Sequence, residues 1–220
     1  MQMDSFSGKH LLALIRESDY AHAGEEEAIE ITLRNYPRRV DQLVLDVGCG
    51  RGGTANYVQN HGWGRVTGID ADTDSLARAR QVYPEIEFHA CDVVDAAAEL
   101  RGPFDLIYFF NSFYAFANQA RALTVLGGLA RDSGRLVLFD YTDRGGYRDN
   151  PLWCDGLPFI PNPIELSAIG ATLRQADLEL LEVEDLTAAY DRRYDTLIQR
   201  MDARRAPIVN SVRFLCIARN

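Results

Sequence analysis

Apolar and polar positions fall in blocks along this chain, and the blocks change period. Leu43-Val44-Leu45-Asp46-Val47 is almost continuously apolar, as a strand buried on both faces is. Arg65–Ile69, Glu87–Ala90, Phe104–Phe110 and Gly134–Tyr141 read as four further strands. Between them apolar residues recur at helical spacing. One helix runs from the glycines after Val47 to about Asn60. A second is capped by Asp72 or Thr73, keeps Leu76, Ala79 and Tyr83 on one face, and stops at Pro84; a third covers 118–131. Two more helices are predicted ahead of the first strand, over 5–17 and 25–35. The later of these sets Glu25, Glu26 and Glu27 at the positive end of its dipole and ends at Pro37. Such alternation predicts an α/β domain with a parallel sheet and helices on both faces.

Residues 142–162 break the pattern. Two glycines lead into a proline-rich stretch containing Pro151, Pro158 and Pro161, with Trp153 and Phe159 among them. An irregular segment of this length in a compact domain is usually functional, and we expect a lid. A helix over 163–175, a strand over 178–185, a polar helix over 187–204 and a last strand, Val212–Ala218, are predicted to follow.

Charge narrows the class of partner. The 220 residues carry a formal net charge of −9 with no basic cluster. A nucleic-acid backbone or an anionic membrane surface would need Lys and Arg counter-charges, so neither is an expected partner. The apolar runs Leu106–Phe110 and Leu136–Phe139 are too short to span a bilayer. Met1–His10 lacks a charged region followed by an apolar core, so the expected location is cytoplasmic. Cys49, Cys91, Cys154 and Cys216 are scattered, with no Cys-x-x-Cys pair; they read as reduced thiols, and no metal site is expected.

Asp46-Val47-Gly48-Cys49-Gly50-Arg51-Gly52-Gly53 follows one predicted strand and opens a helix. Four glycines in six residues exceed what a turn needs and let a ligand lie against bare backbone. Gly48, Gly50 and Gly53 also satisfy the G-x-G-x-x-G dinucleotide fingerprint, and Asp70 stands where a ribose-binding carboxylate is expected for either kind of ligand. Asp46 separates the two readings. A carboxylate repels a pyrophosphate but favours the cationic amino acid part of S-adenosylmethionine. Asp92, after the third strand, is placed to accept from an adenine amino group or to cap a helix.

Together Leu43–Gly53, Gly68-Ile69-Asp70, Cys91-Asp92-Val93 and Phe104–Tyr108 resemble the class I S-adenosylmethionine-dependent methyltransferases, in order of elements from about Tyr20 onward. The resemblance implies a Rossmann-like, seven-stranded, mostly parallel sheet with an antiparallel last strand. It implies one domain over 1–220: an N-terminal helical cap (1–37), a cofactor-binding core (38–141), and a loop or lid with a substrate-side half (142–220). Within the family, Tyr20–Ala28, Phe139-Asp140-Tyr141 and Glu184–Tyr190 are similar to phosphoethanolamine and other small-amine N-methyltransferases. The chain departs from that pattern at Asn111, where an aspartate is expected, and at Ala115, where a histidine is expected.

Carried over residue by residue, the resemblance implies that Gly48, Cys49, Gly50 and Gly52 line the cofactor's amino acid part, with Asp46 close by. Asp70 would bind ribose, Ala71 would touch adenine, and Asp92 with Val93 would hold it. Tyr20 would lie over the cofactor and Asn111 near the methyl group. His22 and Tyr141 are the remaining catalytic candidates, with Tyr114, Trp153 and Tyr190 as aromatic walls suited to an amine. The expected partner is a small-molecule acceptor, and the expected assembly a monomer or homodimer. Two other readings stay open: an NAD(P)-dependent oxidoreductase, although Lys9 is the one lysine and no Tyr-x-x-x-Lys occurs, and a non-catalytic S-adenosylmethionine-binding domain. The Pro-Pro-aromatic segment of nucleic-acid amino methyltransferases is replaced by Asn111-Ser112-Phe113-Tyr114.

Overall fold

The computed structural model describes residues 18–22, 24–143, 145–151, 153–154 and 156–188. Its elements are α1 (Glu25–Leu33), β1 (Leu43–Val47), α2 (Gly53–Asn60), β2 (Arg65–Asp70), α3 (Thr73–Val82), β3 (Glu87–Ala90), α4 (Ala96–Glu99), β4 (Phe104–Phe110), α5 (Gln119–Leu129) and β5 (Ala130–Phe139). Four two-residue strands follow: β6 (Thr142–Asp143), β7 (Trp153–Cys154), β8 (Leu157–Pro158) and β9 (Ile164–Glu165), then α6 (Leu166–Gln175). Strands β1 to β5 form one sheet in the order β3-β2-β1-β4-β5, every pairing parallel.

Side-chain alternation along these strands divides the core between two faces. Val44, Leu106, Tyr108 and Phe110 point to one side and pack with Ile29 and Leu33 of α1, Val58 of α2 and Leu76 of α3. Leu45, Val47, Ile107 and Phe109 point to the other, against Leu123 and Leu126 of α5 and Leu173 of α6. All these side chains are buried. Helix α3 starts where the sequence places its cap: Asp72 accepts from the amides of Asp74 and Ser75. Among the described residues no helix is long and apolar enough to cross a membrane.

Two expectations are corrected. The sheet has five strands among the described residues, and of the other two expected, Val212–Ala218 lies outside them. Residues 178–186 are not a strand: they run without ladder bonds, and Leu181 and Val183 stay 65% and 59% exposed. Leu178 packs on the α5–α6 face, Leu186 on the α1–α3 face, and Glu184 pairs with Arg34 at 2.6 Å, so this segment passes from one layer to the other. The segment 142–162 is not structureless, because β6 pairs with β9 and β7 with β8. The predicted helix over 5–17, most of that over 187–204 and the last strand, Val212–Ala218, lie outside the described residues.

Candidate active site

Strand order reverses between β1 and β4, and open α/β sheets place ligands in the crevice at that point, beyond the carboxyl ends of the strands. The loops leaving β1 and β4 meet there. Gly48 has φ +76°, and a Cβ on it would collide with the side chain of Ser112. Ser112 Oγ donates to the Val47 carbonyl at 2.6 Å, tying the two loops together. The amides of Gly48 and Cys49 both donate to the Ile69 carbonyl, at 2.8 and 2.9 Å. Gly50 donates to Asp70 Oδ2 at 2.7 Å, and Asp72 N–H donates to Asp70 Oδ1 at 2.9 Å. The ribose-binding candidate is therefore fixed in place through both oxygens. Ala71 lies exposed beside it. At Gly52 (φ +84°) a Cβ would come within 2.8 Å of the Phe88 ring.

Asp46 is buried, and the hydroxyl of Tyr108, its register partner on β4, donates to it at 3.1 Å. Burial pushes the Asp46 carboxyl up to about 8; the Tyr108 hydrogen bond opposes this, and the nearby Asp70 adds to it. At the end of β3, Asp92 is exposed and caps a short turn through the amide of Val94 at 3.1 Å, while Val93 is buried. The capping reading of Asp92 is thus realised, and its carboxylate still stands at the rim.

The segment before α1 crosses to the glycine loop. Asp19 accepts from Arg51 Nε at 2.7 Å, with both side chains nearly buried (12% and 11% exposed), and from the Tyr83 hydroxyl at 3.2 Å. A Cβ on Gly53 would lie 2.7 Å from the Asp19 carbonyl carbon, so the glycine that completes the dinucleotide fingerprint makes room for this segment. Tyr20 is half-buried and donates to Glu26 at 3.3 Å; burial, reinforced by the Glu26 charge, holds its phenol well above the usual range. His22 is 1% exposed. Its Nε2 meets Thr54 Oγ1 at 3.0 Å, and its ring packs 4.6 Å from that of Phe110, one residue before Asn111. His22 therefore bridges the first turn of α2 and the end of β4 from inside.

On the β4–β5 side, Asn111 adopts φ +51°, a left-handed conformation that asparagine tolerates better than most residues, and donates its amide to the Phe139 carbonyl at 2.8 Å. Its Oδ1 is enclosed and accepts no hydrogen bond from any described residue. The rings of Tyr114 and Tyr141 meet edge to face at 5.3 Å. Behind them, the Asp140 carboxyl accepts from the amides of Phe113, Tyr114 and Tyr141. Trp153, on β7, is 61% exposed; Tyr190 lies outside the described residues.

The structure therefore gathers Asp46, Gly48, Cys49, Gly50, Gly52, Asp70 and Asn111 around one crevice, with Asp92 and Val93 on the β3 side and Tyr141 on the β5 side. Sequence reasoning missed Asp19, whose partner Arg51 is 32 positions away, and Ser112. It named Asp140 only within the run Phe139-Asp140-Tyr141. Enough donors and acceptors stand at the crevice for a ligand with ribose and amino acid parts, and the enclosed Asn111 Oδ1 has capacity for one further donor.

Comparison with known proteins bears on the fold and the family. A sarcosine/dimethylglycine N-methyltransferase of Halorhodospira halochloris is 28% identical over 188 residues, covering 78% of this chain and 64% of the relative. A Haemonchus contortus phosphoethanolamine N-methyltransferase 2, solved with phosphomonomethylethanolamine and S-adenosylhomocysteine, superposes with a TM-score of 0.78 at 16% identity, over 96% of this chain and 52% of that one. The cyclase SpnF superposes with a TM-score of 0.72 at 20% identity, over 92% of this chain and 80% of that one. At these identities the two structures establish the fold alone. The chain thus spans less than two thirds of the first two relatives. Residues 20–183, well over half of the sequence, match the family described as a methyltransferase domain, and the chain belongs to that family.

Proposed function

We propose that this chain binds S-adenosylmethionine in the crevice between β1 and β4 and transfers its methyl group to a small-molecule acceptor, amines first. One observation carries the cofactor reading. Carboxylates stand at the ends of β1, β2 and β3, while Arg51, the cation of the glycine loop, is held by Asp19. Such a set of carboxyl groups suits a ligand whose ammonium draws the proton from Asp46, and offers a pyrophosphate no counter-charge. The start of α2, where a dinucleotide would seat its phosphates, is covered by the Asp19 backbone.

Bound there, S-adenosylmethionine supplies a methyl group on an activated sulfonium, so the acceptor's lone pair forms the new bond as the carbon–sulfur bond breaks. The chain's own task is orientation and exclusion of water. Asp46 sits by the amino acid end; Gly48, Cys49, Gly50 and Gly52 offer backbone without side-chain bulk; Asp70 takes the ribose hydroxyls; Ala71, Asp92 and Val93 flank adenine. Tyr20 and His22 belong to a cap over the site. Asn111 Oδ1 accepts from an N–H or O–H of the acceptor and so orients its lone pair, and Tyr141 with Tyr114 walls the acceptor's far side. Asn111 is neutral, so it takes no proton from the acceptor, and an amine must arrive uncharged. The division into cap (1–37), core (38–141) and substrate-side half (142–220), a cytoplasmic location and a monomeric or homodimeric state belong to this proposal.

Separate calorimetric titrations with S-adenosylhomocysteine and NADH, on the wild type and on Asp70→Ala, test the cofactor. Micromolar binding of S-adenosylhomocysteine that is lost in the variant, with none of NADH, supports the proposal; the reverse result moves the chain to the oxidoreductases. A methylation screen beginning with sarcosine and other primary and secondary amines, which keep an N–H when uncharged, then separates an enzyme from a domain that only binds the cofactor.

A further inference from the structure

Asp140 follows directly on β5 with its carboxyl turned back into the fold. Oδ2 accepts from the amides of Phe113 (2.7 Å) and Tyr114 (3.3 Å), Oδ1 accepts from the amide of Tyr141 (2.8 Å), and the amide of Ser112 also faces the carboxyl. The donors belong to two separate pieces of chain: the turn after β4 and the second residue beyond β5. Both pieces are braced further. The Tyr114 carbonyl accepts from the amide of Asn162, Gln119 Nε2 donates to the carbonyls of Phe113 and Asn162, and the Tyr141 carbonyl accepts from the amide of Ile164. On this frame stand Asn111, with its unmatched Oδ1, and the Tyr114–Tyr141 pair.

We propose that Asp140 is a positioning residue for the methyl acceptor: its carboxylate clips the turn after β4 to the end of β5 and thereby sets the spacing of Asn111, Tyr114 and Tyr141. The proposal rests on the methyl-transfer reading of the crevice. Only a carboxylate can do this, because both oxygens must accept. An amide at 140 would turn an NH2 group against one set of backbone N–H donors. The clip lies on the β4–β5 side of the crevice, whereas the glycine loop and Asp70 lie on the β1–β2 side, so its loss bears on the acceptor and leaves cofactor affinity intact. Burial raises the Asp140 carboxyl to about 7, and the amides of Tyr141, Phe113, Tyr114 and Ser112 pull it back. The clip is therefore fully charged only above neutral pH.

Backbone amide NMR of the wild type between about pH 5.5 and 8.5 reads the clip without a substrate. The Phe113, Tyr114 and Tyr141 resonances are expected to titrate together with a midpoint near pH 7, and in Asp140→Asn this shared titration should vanish. Methyl transfer to the amines of the screen, measured alongside, should show an acceptor KM raised tenfold or more in Asp140→Asn, with S-adenosylhomocysteine affinity held within threefold. Independent titration of the three amides, an unchanged acceptor KM, or a tenfold loss of S-adenosylhomocysteine affinity overturns the proposal. If the wild type methylates no amine, the acceptor role falls together with the methyl-transfer reading, and the amide titration still decides whether the clip exists.

Discussion

Asp46 and Tyr108 face each other across β1 and β4, and the Tyr108 hydroxyl is the described donor to a carboxyl that burial holds at about 8. At pH 7 that carboxyl is mostly protonated. A ligand that brings an ammonium group beside it favours the ionised form, so binding must expel a proton. Calorimetric titration of S-adenosylhomocysteine at pH 7 should show an enthalpy that changes with the ionisation enthalpy of the buffer, in the direction of proton release. No buffer dependence would place the amino acid end of the ligand away from Asp46.

The same burial ties stability to pH. Asp46 and Asp140 are raised from an ordinary 3.8 to about 8 and about 7, so between those values the folded state holds protons that the unfolded chain has lost. Their contribution is fully present below about pH 4 and disappears as pH rises through about 7 and 8. Asp46→Asn removes the buried charge and keeps an acceptor for Tyr108. Above pH 8 it should gain on the order of a few kcal/mol of stability, since a tenfold change in proton affinity between the folded and unfolded chain corresponds to about 1.4 kcal/mol, while weakening the cofactor. Thermal unfolding at pH 6 and pH 9 checks this: the variant's advantage must grow with pH.

Gly53→Ala drives a methyl group into the Asp19 backbone. A well-packed site resists such an insertion at a cost of about 1–3 kcal/mol, and S-adenosylhomocysteine affinity should fall with the displaced cap. Gly128→Ala is the control. That glycine lies exposed within α5, and nothing stands within 4 Å of its would-be Cβ, so alanine should stabilise by about 0.5–1 kcal/mol through helix propensity. Urea unfolding of both variants compares the two.

Asp19→Ala leaves Arg51 nearly buried without its described carboxylate partner and leaves Tyr83 without its described acceptor. Removing one partner from a buried pair costs about 3–5 kcal/mol; for this rim-side pair the lower end is expected, measured as a loss in unfolding free energy. Arg51→Met should cost less, because the Asp19 carboxylate it leaves behind keeps the Tyr83 hydroxyl as a donor and Arg78 at 3.9 Å. Equal losses would mean that Asp19 works through packing alone.

Much of this architecture was legible because the central strands are buried on both faces. Phe104–Phe110 is apolar at six of its seven positions, and only a strand between two helix layers can use such a run. Strand β5 was read four residues short at its start. Its first half, Ala130 to Arg135, is polar and largely solvated, and a register shift opposite Phe104–Leu106 admits residues with no alternation to reveal them. The two-residue strands of 142–165 carry no periodicity at all. At the site, the glycines and strand-end carboxylates were visible because each is a residue type in a telling place. Asp140 was visible as a residue of the run Phe139-Asp140-Tyr141, but its bonds were not, because its partners are backbone amides, which every sequence has everywhere. Asp19 was not, because its meaning lies in Arg51 and Tyr83, 32 and 64 positions away.

The strand order has a consequence for how this protein can change over time. The half of the sheet formed by β3, β2 and β1 meets the half formed by β4 and β5 along a single seam, stitched near the crevice by Asp46 with Tyr108 and by Val47 with Ser112. Substitutions among residues 113–165 alter one wall of the crevice and leave both stitches in place. A lineage can retune what it modifies without relearning how to hold the donor, and transplanting 113–165 between relatives is the corresponding engineering route.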